Sequence, residues 1–588
     1  MDTRSAAHAL TQIAVLLELH GDDRVSPRVL QSAARTVSAL GERDLHEALN
    51  DPALLAELPP LAREILIDLD TSNSSAMLER LQEETPEGLL EMLRVPGLGP
   101  ARIRQIHDGL DIDTLQELEQ SARDGRLAAL PRFGQKTAER VLRGISDLRA
   151  TGAYMLWQHA HTDAIRLRAA IGNHPDVLHA EIAGSIRRRN EVVRDVDVVA
   201  SVRGAPSVVA ASIANLPGVK DVLGGGGRVL TIRFHDGVQL DLACVRPEHF
   251  ALALWRATGS ALHVRQLTEL AAQRGFAITG DELRDRSGTL IPVASEPELY
   301  ARLGLPFVAP ELREGAGELE MASRQSIGEL LESSHIVGAL HCHSQYSDGG
   351  ATIAEMAVAA QERGWKYLGI SDHSQSNTYA GGLTREAIAQ QHDEIDALNA
   401  QYRANGIDFV LLKGIEADIL PCGRVDYDAA FLDRFDFVIG SVHSRYGMNE
   451  RQMTDRVLKA LDDSHITILG HPTGRLLLTR EPYAIDIDAV VAKASEVGVA
   501  IELNADPHRL DVDWRSCRIA RDKGALISIG PDAHSPSGLD HLDLGIGIAR
   551  KGALGARHVL NSMTASQVLE FARARRSGKT RANNVATG

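Results

Sequence analysis

Cysteine is scarce in this sequence of 588 residues, and its scarcity excludes two classes of small stabilised domain. The cysteines are far apart and form no Cys-x-x-Cys pair: Cys244, Cys342, Cys422 and Cys517. A disulfide framework and a cysteine-rich zinc finger both need closely spaced cysteines, so neither is expected. No run of 18 apolar residues occurs, and the first residues, MDTRSAAHALTQIAVLLELHGDD, do not follow the pattern of a cleavable signal. We therefore expect no membrane partner and a reducing cytoplasm.

Positive charge is scarce as well, most of all near the start of the chain. The formal net charge is −16, and residues 1–95 hold 8 Lys and Arg against 17 Asp and Glu. The first lysine of the sequence is Lys136. An acidic chain is in general a poor partner for the phosphate backbone of nucleic acid, but local basic patches or bound divalent metals can supply the missing positive charge.

Length and composition place the chain among multidomain globular proteins. A chain of this length is too long for one hydrophobic core, so we expect three or four domains. With 44% hydrophobic and 24% charged residues, the composition is that of an ordinary soluble protein. Residues 1–90 place apolar residues three and four positions apart, as in ALTQIAVLLELH, and this spacing predicts a helical domain.

Residues 91–150 contain a near-duplication. Val95–Ile106 (VPGLGPARIRQI) and Leu130–Leu142 (LPRFGQKTAERVL) both read apolar-Pro-x-apolar-Gly, followed by a helical pattern. The glycine permits a tight turn, and the next helix exposes backbone N–H groups that can hold a phosphate. One copy alone is well explained by an ordinary Gly-Pro connection, but two in tandem favour helix-hairpin-helix motifs, which clamp the DNA backbone. The candidate DNA contacts are Gly97, Gly99, Gly134 and Lys136.

Residues 151–250 change to strand-like patterns that contain isolated carboxylates. In DVDVVA, Asp195 and Asp197 lie two apart and therefore on one face of a strand, and Asp241 lies inside the apolar run VQLDLACV. A buried carboxylate is costly unless it is paired or bound to metal. Three of them on neighbouring strands can hold two Mg²⁺ ions for phosphoryl transfer to a sugar hydroxyl. The alternative is a set of strand-edge aspartates with no catalytic role.

A glycine-serine turn shortly upstream supports the metal interpretation. The stretch GSIRRR places Gly184 and Ser185 at a turn, with Arg187 and Arg188 beside them. Such a combination of a tight turn and two guanidinium groups can bind a triphosphate.

From residue 337 onward, short apolar runs alternate with helical patterns. Seven such runs occur: GALHCHS, KYLGISDHS, FVLLKGIEADI, FVIGSVHS, ITILGHPTG, VAIELNAD and LISIGPDAHS. Alternation of this kind predicts a parallel sheet with both faces buried. Seven or eight units in about 240 residues indicate a barrel.

Six of these seven runs end in residues that can bind metal. In a parallel barrel the strand C-termini share one mouth, so residues distant in sequence converge there. In chain order they are His341, His343, Asp348, His373, Glu416, His443, His471, Asp532 and His534. Nine ligands suit two or three ions, with Glu416 or Asp532 as bridges. Because no thiolate takes part and Cys342 points away from its neighbours, we expect Zn, Mn or Fe with open positions rather than a closed structural zinc site.

Two arginines follow strands that carry these ligands. Metal clusters of this kind activate water and clamp a phosphate oxygen. Arg445 in VHSRYG and Arg475 in GHPTGRLLL are therefore candidates to bind a substrate phosphate. Each is equally well explained as a surface arginine.

The motifs HCHSQYSD, SDHS, GIEADI, VHS, GHPTGR and PDAHS resemble those of the PHP (polymerase and histidinol phosphatase) superfamily across residues 337–575. The resemblance implies a distorted (β/α)7 barrel, a trinuclear metal site and phosphoesterase chemistry, and all nine ligand positions have a match. Residues 1–320 resemble the family X DNA polymerases in the order of their motifs, from the helix-hairpin-helix pair to TGS at Thr258–Ser260 and LGLPFVAPELREG. A fusion of the two is the bacterial form of that family.

Together the resemblances imply a multidomain fold with these parts: a helical N-terminal domain of the 8-kDa type at 1–90, tandem helix-hairpin-helices at 91–150, an α+β nucleotidyltransferase palm at 151–250, a thumb-like subdomain at 251–320, a linker at 321–336, the PHP barrel at 337–575 and a flexible tail at 576–588. They also imply a nucleotide site made of Gly184, Ser185, Arg187, Arg188, Thr258, Gly259 and Ser260.

The palm departs from the family pattern at five positions. An aromatic pair before TGS, an asparagine after it and two glycines near the DxD pair are replaced, and the replacements are Arg256, Ala257, Val264, Arg189 and Arg194. Loss of glycine would hinder backbone approach to the triphosphate. Some relatives also cleave an abasic sugar through a Schiff base with an N-terminal lysine. With no lysine before Lys136, that chemistry is not available in the first domain.

Two functions remain open from the sequence. The first is a family X DNA polymerase joined to a PHP 3′→5′ exonuclease, which acts in DNA repair on gapped or primed DNA with deoxynucleoside triphosphates and Mg²⁺ or Mn²⁺. The second is a DNA 3′-end nuclease or 3′-phosphatase whose palm no longer polymerises. A small-molecule phosphatase of the histidinol-phosphate kind is disfavoured by the helix-hairpin-helices and the palm. We expect a monomer.

Overall fold

The structure, a computed structural model, describes residues 2–21, 26–41, 43–72, 75, 77–78, 80–81, 85–150, 154–215, 218–224, 229–378 and 380–577. The predicted tail at 576–588 lies outside the described residues from position 578 onward. Within these ranges, every helix falls short of the length and apolar character that a membrane crossing requires.

The elements described within the first 150 residues are helices, with one isolated β-bridge between Asp2 and Asp44. In chain order they are α1 (Thr3–His20), α2 (Pro27–Ser38), α3 (Leu45–Leu49), α4 (Pro52–Glu57), α5 (Pro60–Ser72), α6 (Glu87–Met92), α7 (Pro100–Leu110), α8 (Leu115–Asp124), α9 (Arg126–Ala129) and α10 (Gln135–Ala150). Thr114 and Glu117 form a reciprocal capping box that fixes the start of α8. Buried residues from Ala6 to Leu148 form one continuous hydrophobic core. The predicted regions 1–90 and 91–150 therefore share a single core.

Both predicted glycine turns of the helix-hairpin-helix pair are present. Gly97 and Gly134 adopt left-handed φ angles of 81° and 99°, which glycine tolerates without steric cost. Gly99 is the N-cap residue of α7, and α10 begins directly after the second turn. Lys136, in the first turn of α10, is exposed.

The palm is an α+β unit. Its strands are β1 (Met155–Leu156), β2 (Val177–Ile182), β3 (Val192–Val193), β4 (Val196–Val202), β5 (Val219–Gly224), β6 (Leu230–Phe234) and β7 (Gln239–Val245), and its helices are α11 (Trp157–Gly172), α12 (Gly184–Arg187) and α13 (Pro206–Ile213). Five strands form a sheet in the order β2-β4-β7-β6-β5, and β1 pairs with β3. The neighbours β4 and β7 run parallel with Asp197 opposite Asp241, so the two carboxylate-bearing runs are adjacent.

The thumb follows with its own core. Its elements are α14 (Phe250–Thr258), α15 (Ala261–Gln273), β8 (Ala277–Thr279), β9 (Glu282–Arg284), β10 (Leu290–Ile291), α16 (Glu296–Arg302) and α17 (Glu318–Ser323), with 3-10 turns at Pro247–His249 and Pro310–Leu312. Trp255 and Tyr300 are fully buried at its centre. Ala553 of the barrel joins the same core, so thumb and barrel are packed together.

The remainder is the predicted barrel. Its strands are β11 (Gly338–Ala339), β12 (Tyr367–Ile370), β13 (Val410–Asp418), β14 (Phe437–Ser441), β15 (Ile468–Leu469), β16 (Ala500–Asn504) and β17 (Ile527–Gly530). Its helices are α18 (Ile353–Glu362), α19 (Arg385–Ala404), α20 (Ala429–Leu432), α21 (Glu450–Leu461), α22 (Ile487–Val497), α23 (Trp514–Lys523), α24 (Leu542–Lys551) and α25 (Ala565–Arg576). Short 3-10 turns lie at Ser333–His335, Ser537–His541, Ala556–His558 and Leu560–Ser562.

The barrel strands pair in sequence order, and each neighbour runs parallel. A parallel bridge between Cys342 and Ala533 joins the segment after the first strand to the segment after the last and brings the ring close to closure. All seven apolar runs predicted as strands are strands, which confirms the predicted seven-stranded parallel barrel. Burial on both faces explains why those runs are continuously apolar.

The barrel contacts the palm and thumb through buried polar groups. Lys551, at the end of α24, donates to the carbonyl oxygen of Arg188 at 3.0 Å and to Asn190 Oδ1 at 2.8 Å. It also forms an ion pair with Glu314 of the thumb. Two further ion pairs cross the interface: Arg475 with Glu191 at 3.0 Å and Arg550 with Glu311 at 2.7 Å.

Candidate functional site

The nine predicted barrel ligands converge at the barrel mouth. Among the described side chains, four overlapping groups each place one ligand atom per residue within 4.8 Å of the others. The groups are His343–Asp348–His373–His534, His341–Glu416–His471, His341–His343–Asp532 and His373–Glu416–His443. Every predicted ligand belongs to at least one group, because the strands of a parallel barrel end at one face.

Two carboxylates lie at the centre of this cluster. Glu416 Oε1 is 2.9 Å from His471 Nε2 and 3.2 Å from His443 Nε2. Asp532 Oδ1 is 3.2 Å from His343 Nε2. Glu416 contacts imidazoles that follow several strands, and Asp532 contacts both His341 and His343. Contact with more than one imidazole is the position that a ligand shared by two ions would take.

The cluster balances its own charge. Burial alone would raise the pKa of Glu416, but His341, His373 and His443 hold it well below its usual value. Burial alone would lower the pKa of His443, but Glu416 and then Asp418 raise it to about 10. Imidazoles and carboxylates therefore stabilise one another, and the side chains converge without mutual repulsion.

The donor set fits divalent transition metals. Ring nitrogens of three predicted ligand histidines are buried and make no well-aligned hydrogen bond among the described residues, although carboxylates lie near some of them: Nε2 of His341, both nitrogens of His343 and Nδ1 of His471. A buried polar atom without a partner is costly, and coordination to a cation would satisfy it. Cys342 is fully buried beside them but takes part in the bridge to Ala533, and it belongs to none of the four groups.

Glu502 is a supporting residue that the sequence analysis missed. Its Oε1 is 2.5 Å from Nδ1 of His341, and its Oε2 accepts the backbone N–H of His471 at 2.7 Å. A carboxylate on the far nitrogen of a ligand histidine fixes the ring and its tautomer. The signal was available, because Glu502 lies inside the apolar run VAIELNAD, the same feature that singled out Asp241.

Two other supporting residues follow the same logic. Asp418 Oδ1 is 2.8 Å from Nδ1 of His443. Asn504 donates to Asp532 Oδ2 at 2.8 Å. Both orient a predicted ligand from behind, and both lie at a strand end, since Asp418 ends β13 and Asn504 ends β16.

The cluster opens into a cleft between domains. The cleft has a volume of about 1430 Å³, whereas the pocket of a single small ligand measures roughly 300–1,000 Å³. The barrel mouth, with seven of the nine ligands, forms one wall. Residues of α8 from the helix-hairpin-helix region and of α11 from the palm form the other. The site is therefore shaped for an extended molecule.

The arginines near the barrel site are placed differently from one another. Arg475 donates to the carbonyl oxygen of Arg509 at 2.9 Å and is ion-paired with Glu191, so it holds the barrel to the palm. Arg445 adopts a left-handed φ of 60° in the loop after β14. Phosphate binding by these two stays a prediction. Arg509, which the sequence analysis missed, lines the cleft with Nε 3.7 Å from Asp532 Oδ2.

The palm carboxylates meet in a different environment. Burial, followed by the charges of Asp195 and Asp241, raises the pKa of Asp197 to about 7. Burial and then Asp241 also raise the pKa of Asp195. Asp241 Oδ1 is buried without a hydrogen-bond partner among the described residues. The three groups repel one another, as carboxylates awaiting divalent cations would.

The Gly-Ser turn lies directly against these carboxylates. Gly184 adopts a φ of 60°, and a Cβ at this position would lie 1.7 Å from Asp197 Oδ2. Only glycine fits there. Ser185 accepts the backbone N–H of Asn190 at 3.0 Å through its carbonyl oxygen, which closes the turn.

The two arginines of the turn have partners in the thumb. Arg187 is bidentate to Glu296, at 2.6 and 3.1 Å, and donates to Thr258 Oγ1 at 2.7 Å. Arg188 donates to Glu314 at 2.9 Å and to the Thr258 carbonyl at 2.8 Å. The predicted TGS residues are thus part of the network, with Gly259 ending α14 and Ser260 capping α15. Both arginines are anchored to internal acceptors.

Two of the departures from the family pattern have visible consequences. Arg189 keeps a left-handed φ of 56°, the conformation that glycine favours, and its guanidinium lies over Trp157. Arg194 lies over Tyr154 with its Cζ 4.2 Å from the ring centroid. The backbone path near the turn therefore survives the loss of glycine, and the new side chains occupy aromatic faces.

Comparisons with known proteins match three segments of the chain to family models. Family models match residues 89–147 (SAM-like helix-hairpin-helix tandem), 253–314 (DNA polymerase beta thumb) and 339–506 (PHP domain). A probable phosphatase of Caldicellulosiruptor saccharolyticus is 29% identical over 220 residues, covering 35% of this chain and 82% of that protein.

A solved structure, Leishmania infantum polymerase beta in a ternary P/T complex, is 17% identical with a TM-score of 0.26 and covers 39% of this chain and 99% of that chain. A TM-score this low establishes no shared arrangement. The DNA polymerase/3′-5′ exonuclease PolX of Bacillus subtilis (strain 168) is 34% identical over 575 residues, covering 97% of this chain and 99% of that protein. Because this likeness extends through nearly the full length of both proteins, the chain belongs to the PolX family.

Proposed function

We propose that the protein is a DNA polymerase of family X and a metal-dependent 3′→5′ exonuclease, which fills gaps and processes 3′ ends in DNA repair, including base excision repair. The observation that carries this proposal is the presence of two separate carboxylate-containing sites on one chain. Support comes from the Bacillus subtilis relative, whose name joins the same two activities. The proposed partners are gapped or primed DNA and deoxynucleoside triphosphates, and the proposed location is the cytoplasm.

In the palm, Asp195, Asp197 and Asp241 would hold Mg²⁺ or Mn²⁺. Ions held there neutralise phosphoryl oxygens and favour loss of the proton from a primer 3′-hydroxyl. The Gly184 turn brings backbone within contact distance of Asp197, and Arg188 is the cation that acts on Asp197. The chain's own contribution is to place the carboxylates, the turn and the guanidinium side by side.

In the barrel, the nine ligands would hold two or three Mn, Zn or Fe ions. When bound, such ions make water a better nucleophile and clamp the scissile phosphate. Glu502 and Asp418 hold the rings of His341 and His443 in place, and Arg509 adds positive charge at the edge of the cluster. The cleft has room for an extended strand.

A second candidate is a DNA 3′-end nuclease or 3′-phosphatase with a palm that no longer polymerises. Two observations favour it. Arg187 and Arg188 are already bonded to Glu296 and Glu314, so a triphosphate would have to compete with these carboxylates. The described metal-binding groups also all lie in the barrel.

One assay separates the two candidates. A 5′-labelled primer on a longer template is incubated with Mn²⁺, with and without deoxynucleoside triphosphates. We expect both elongation and shortening by the wild type. The variant Asp195→Ala/Asp197→Ala should lose elongation only, and His341→Ala should lose shortening by about 10³-fold or more, since several kcal/mol of transition-state stabilisation depend on the ions.

The outcomes are distinct. Shortening without elongation, lost in His341→Ala, supports the second candidate. Elongation that survives in Asp195→Ala/Asp197→Ala contradicts the assignment of the palm carboxylates. A wild type that neither extends nor shortens the primer contradicts both candidates.

A further inference from the structure

The cleft beside the barrel cluster has an aromatic wall that comes from the palm. Trp157, His161 and Arg189 line the same cavity as the metal-binding residues. The rings of Trp157 and His161 are stacked, with centroids 4.2 Å apart and planes inclined by 17°. Arg189 Cζ lies 4.2 Å from the centroid of the Trp157 ring. We call these three residues the stacking cluster.

Contacts with the palm and with the barrel hold the stacking cluster in place. Trp157 is 7% exposed, and its Nε1 donates to the Ile186 carbonyl oxygen at 2.8 Å. The side chain of Arg189 packs on Gly547 of α24, where a Cβ would lie 3.0 Å from its Cδ. Arg189 also has a left-handed backbone, which persists in a residue with a side chain only where the surroundings impose it, and such strain concentrates at functional sites.

His161 is the member of the cluster best suited to meet a ligand. It is half-buried on α11 and lines the cleft, while Trp157 behind it is buried. Burial, followed by the charge of Arg189, lowers the pKa of His161 to about 4, so its ring is neutral at physiological pH. A neutral aromatic ring backed by a second ring is a surface on which an unpaired nucleobase stacks.

The charge of the cleft wall points to the bases rather than the phosphates as the groups recognised there. Acidic residues from the helix-hairpin-helix region line the wall opposite the barrel: Asp111, Asp113, Glu117 and Glu119. Two arginines of this wall, Arg123 and Arg166, are ion-paired with neighbouring carboxylates and leave the wall acidic on balance. Carboxylates repel a phosphate backbone, so a strand gains little from its phosphates along this wall. Stacking is insensitive to that repulsion and tolerant of sequence.

We propose that His161, supported by Trp157 and Arg189, is a stacking platform for one unpaired nucleobase of the DNA strand whose 3′ end lies at the barrel cluster. The proposal rests on the proposed exonuclease function. It assigns to the palm a part in binding the substrate of the barrel, and it identifies that substrate as a strand with an unpaired 3′ end.

The first test compares His161→Ala with His161→Phe in the full-length protein supplied with Mn²⁺. The readout is the KM for shortening a single-stranded oligonucleotide, divided by the KM for bis(p-nitrophenyl) phosphate, a diester with no nucleobase. We expect His161→Ala to raise this ratio about 5- to 100-fold, the loss that removal of one base-stacking side chain produces. His161→Phe should restore it. Thr162→Ala, on the same helix and the same cleft wall, is the matched control and should leave the ratio unchanged.

The second test needs no variant of the platform. Single abasic positions are placed in turn along the oligonucleotide, and the KM of the wild type is measured for each. One position upstream of the 3′ end should weaken binding, and the same abasic oligonucleotide should bind wild type and His161→Ala equally. The stacking proposal is overturned if no abasic position changes the KM of the wild type. It is also overturned if His161→Phe and His161→Ala fold as the wild type does and raise the KM ratio equally.

The same assays distinguish a protein that is not an exonuclease from an exonuclease that lacks the stacking platform. A wild type that hydrolyses bis(p-nitrophenyl) phosphate but leaves the oligonucleotide intact overturns the exonuclease itself. A wild type that shortens the oligonucleotide with a KM unaffected by His161→Ala overturns only the platform.

Discussion

The palm and the barrel both gather carboxylates, but they balance the resulting charge in opposite ways. In the barrel, histidines surround Glu416 and hold its pKa well below its usual value despite burial. In the palm, burial and two neighbouring aspartates raise the pKa of Asp197 to about 7. The barrel cluster carries its counter-charge within the protein, whereas the palm carboxylates repel one another and would need cations from outside to offset that repulsion.

This difference predicts a resident metal site in the barrel and an exchangeable one in the palm. Six imidazoles and three carboxylates from several strands offer many ligands at once, and nitrogen donors favour transition metals. Three carboxylates alone suit Mg²⁺, which keeps much of its water and exchanges readily. We therefore expect the barrel ions to stay with the protein and the palm ions to come and go with the nucleotide.

The largest expected effect is on metal retention. After gel filtration in metal-free buffer, the wild type should keep two or three transition-metal equivalents, because barrel affinity should exceed palm affinity by about 10³-fold or more. Elemental analysis measures the retained metal. His341→Ala should lose metal and Asp197→Asn should not. Equal loss from the two variants would remove the distinction between the sites.

The next effect concerns the residue behind a barrel ligand. Glu502→Gln keeps the shape of the side chain but removes the charge that faces His341 Nδ1. We expect metal affinity to fall 10- to 100-fold, as is typical for loss of an outer-shell partner. Competition with a chromogenic chelator measures it, and the exposed Glu496→Gln is the control. Unchanged affinity would show that Glu502 does not orient the ligand.

The same carboxylate-to-amide change should have opposite effects on stability in the two sites. In excess chelator at pH 8, Asp197→Asn should raise the free energy of unfolding by roughly 1–3 kcal/mol, given about 1.4 kcal/mol per pKa unit and a discount for partial exposure. Glu416→Gln should lower it, because the histidines lose their counter-charge.

The pH dependence follows from the sign of each shift. Asp197 has a folded pKa of about 7, above its unfolded value, so its destabilising effect grows as pH rises from about 4 to 7 and disappears below that range. Glu416 has a lowered pKa, so its stabilising effect is lost as pH falls below its unfolded value. Urea unfolding at pH 4 and pH 8 tests both. If Asp197→Asn and Glu416→Gln change the free energy of unfolding at pH 8 in the same direction, the proposed difference between palm and barrel is contradicted.

The smallest effect tests the contact between the two regions. Lys551 shares Glu314 with Arg188, so Lys551→Met should leave Glu314 bound more firmly to Arg188. We expect the KM for deoxynucleoside triphosphates to rise about fivefold, in the range of ordinary coupling between sites. Barrel hydrolysis should be unchanged. Arg550→Gln breaks a neighbouring interface ion pair with Glu311 and should not alter the KM; if it does, the effect reflects undocking in general.

The barrel site could be predicted from sequence because its predicted ligands share one kind of position in the chain. Each ligand, such as His341 or His471, follows an apolar run, and parallel strands end at one face. This rule does not find Glu502, although a carboxylate inside an apolar run is a signal of its own. Glu502 sits in the middle of β16, and its contact with His341 joins residues far apart in the chain.

In the palm, too, the contacts between residues far apart in the chain could not be predicted from sequence. Asp197 and Asp241 were predictable from their positions in apolar runs. The pairing of Arg187 with Glu296 was not, because it depends on how the thumb docks on the palm. The left-handed conformation of Arg189 was also beyond sequence reasoning, since arginine there argues against the turn that the backbone nevertheless makes.

The bridge between Cys342 and Ala533 joins the beginning of the barrel to its end. The barrel cluster is complete only when Asp532 and His534 lie beside the segment that follows the first strand. We therefore expect a chain truncated before Asp532 to keep the three palm carboxylates and to lack a complete barrel cluster.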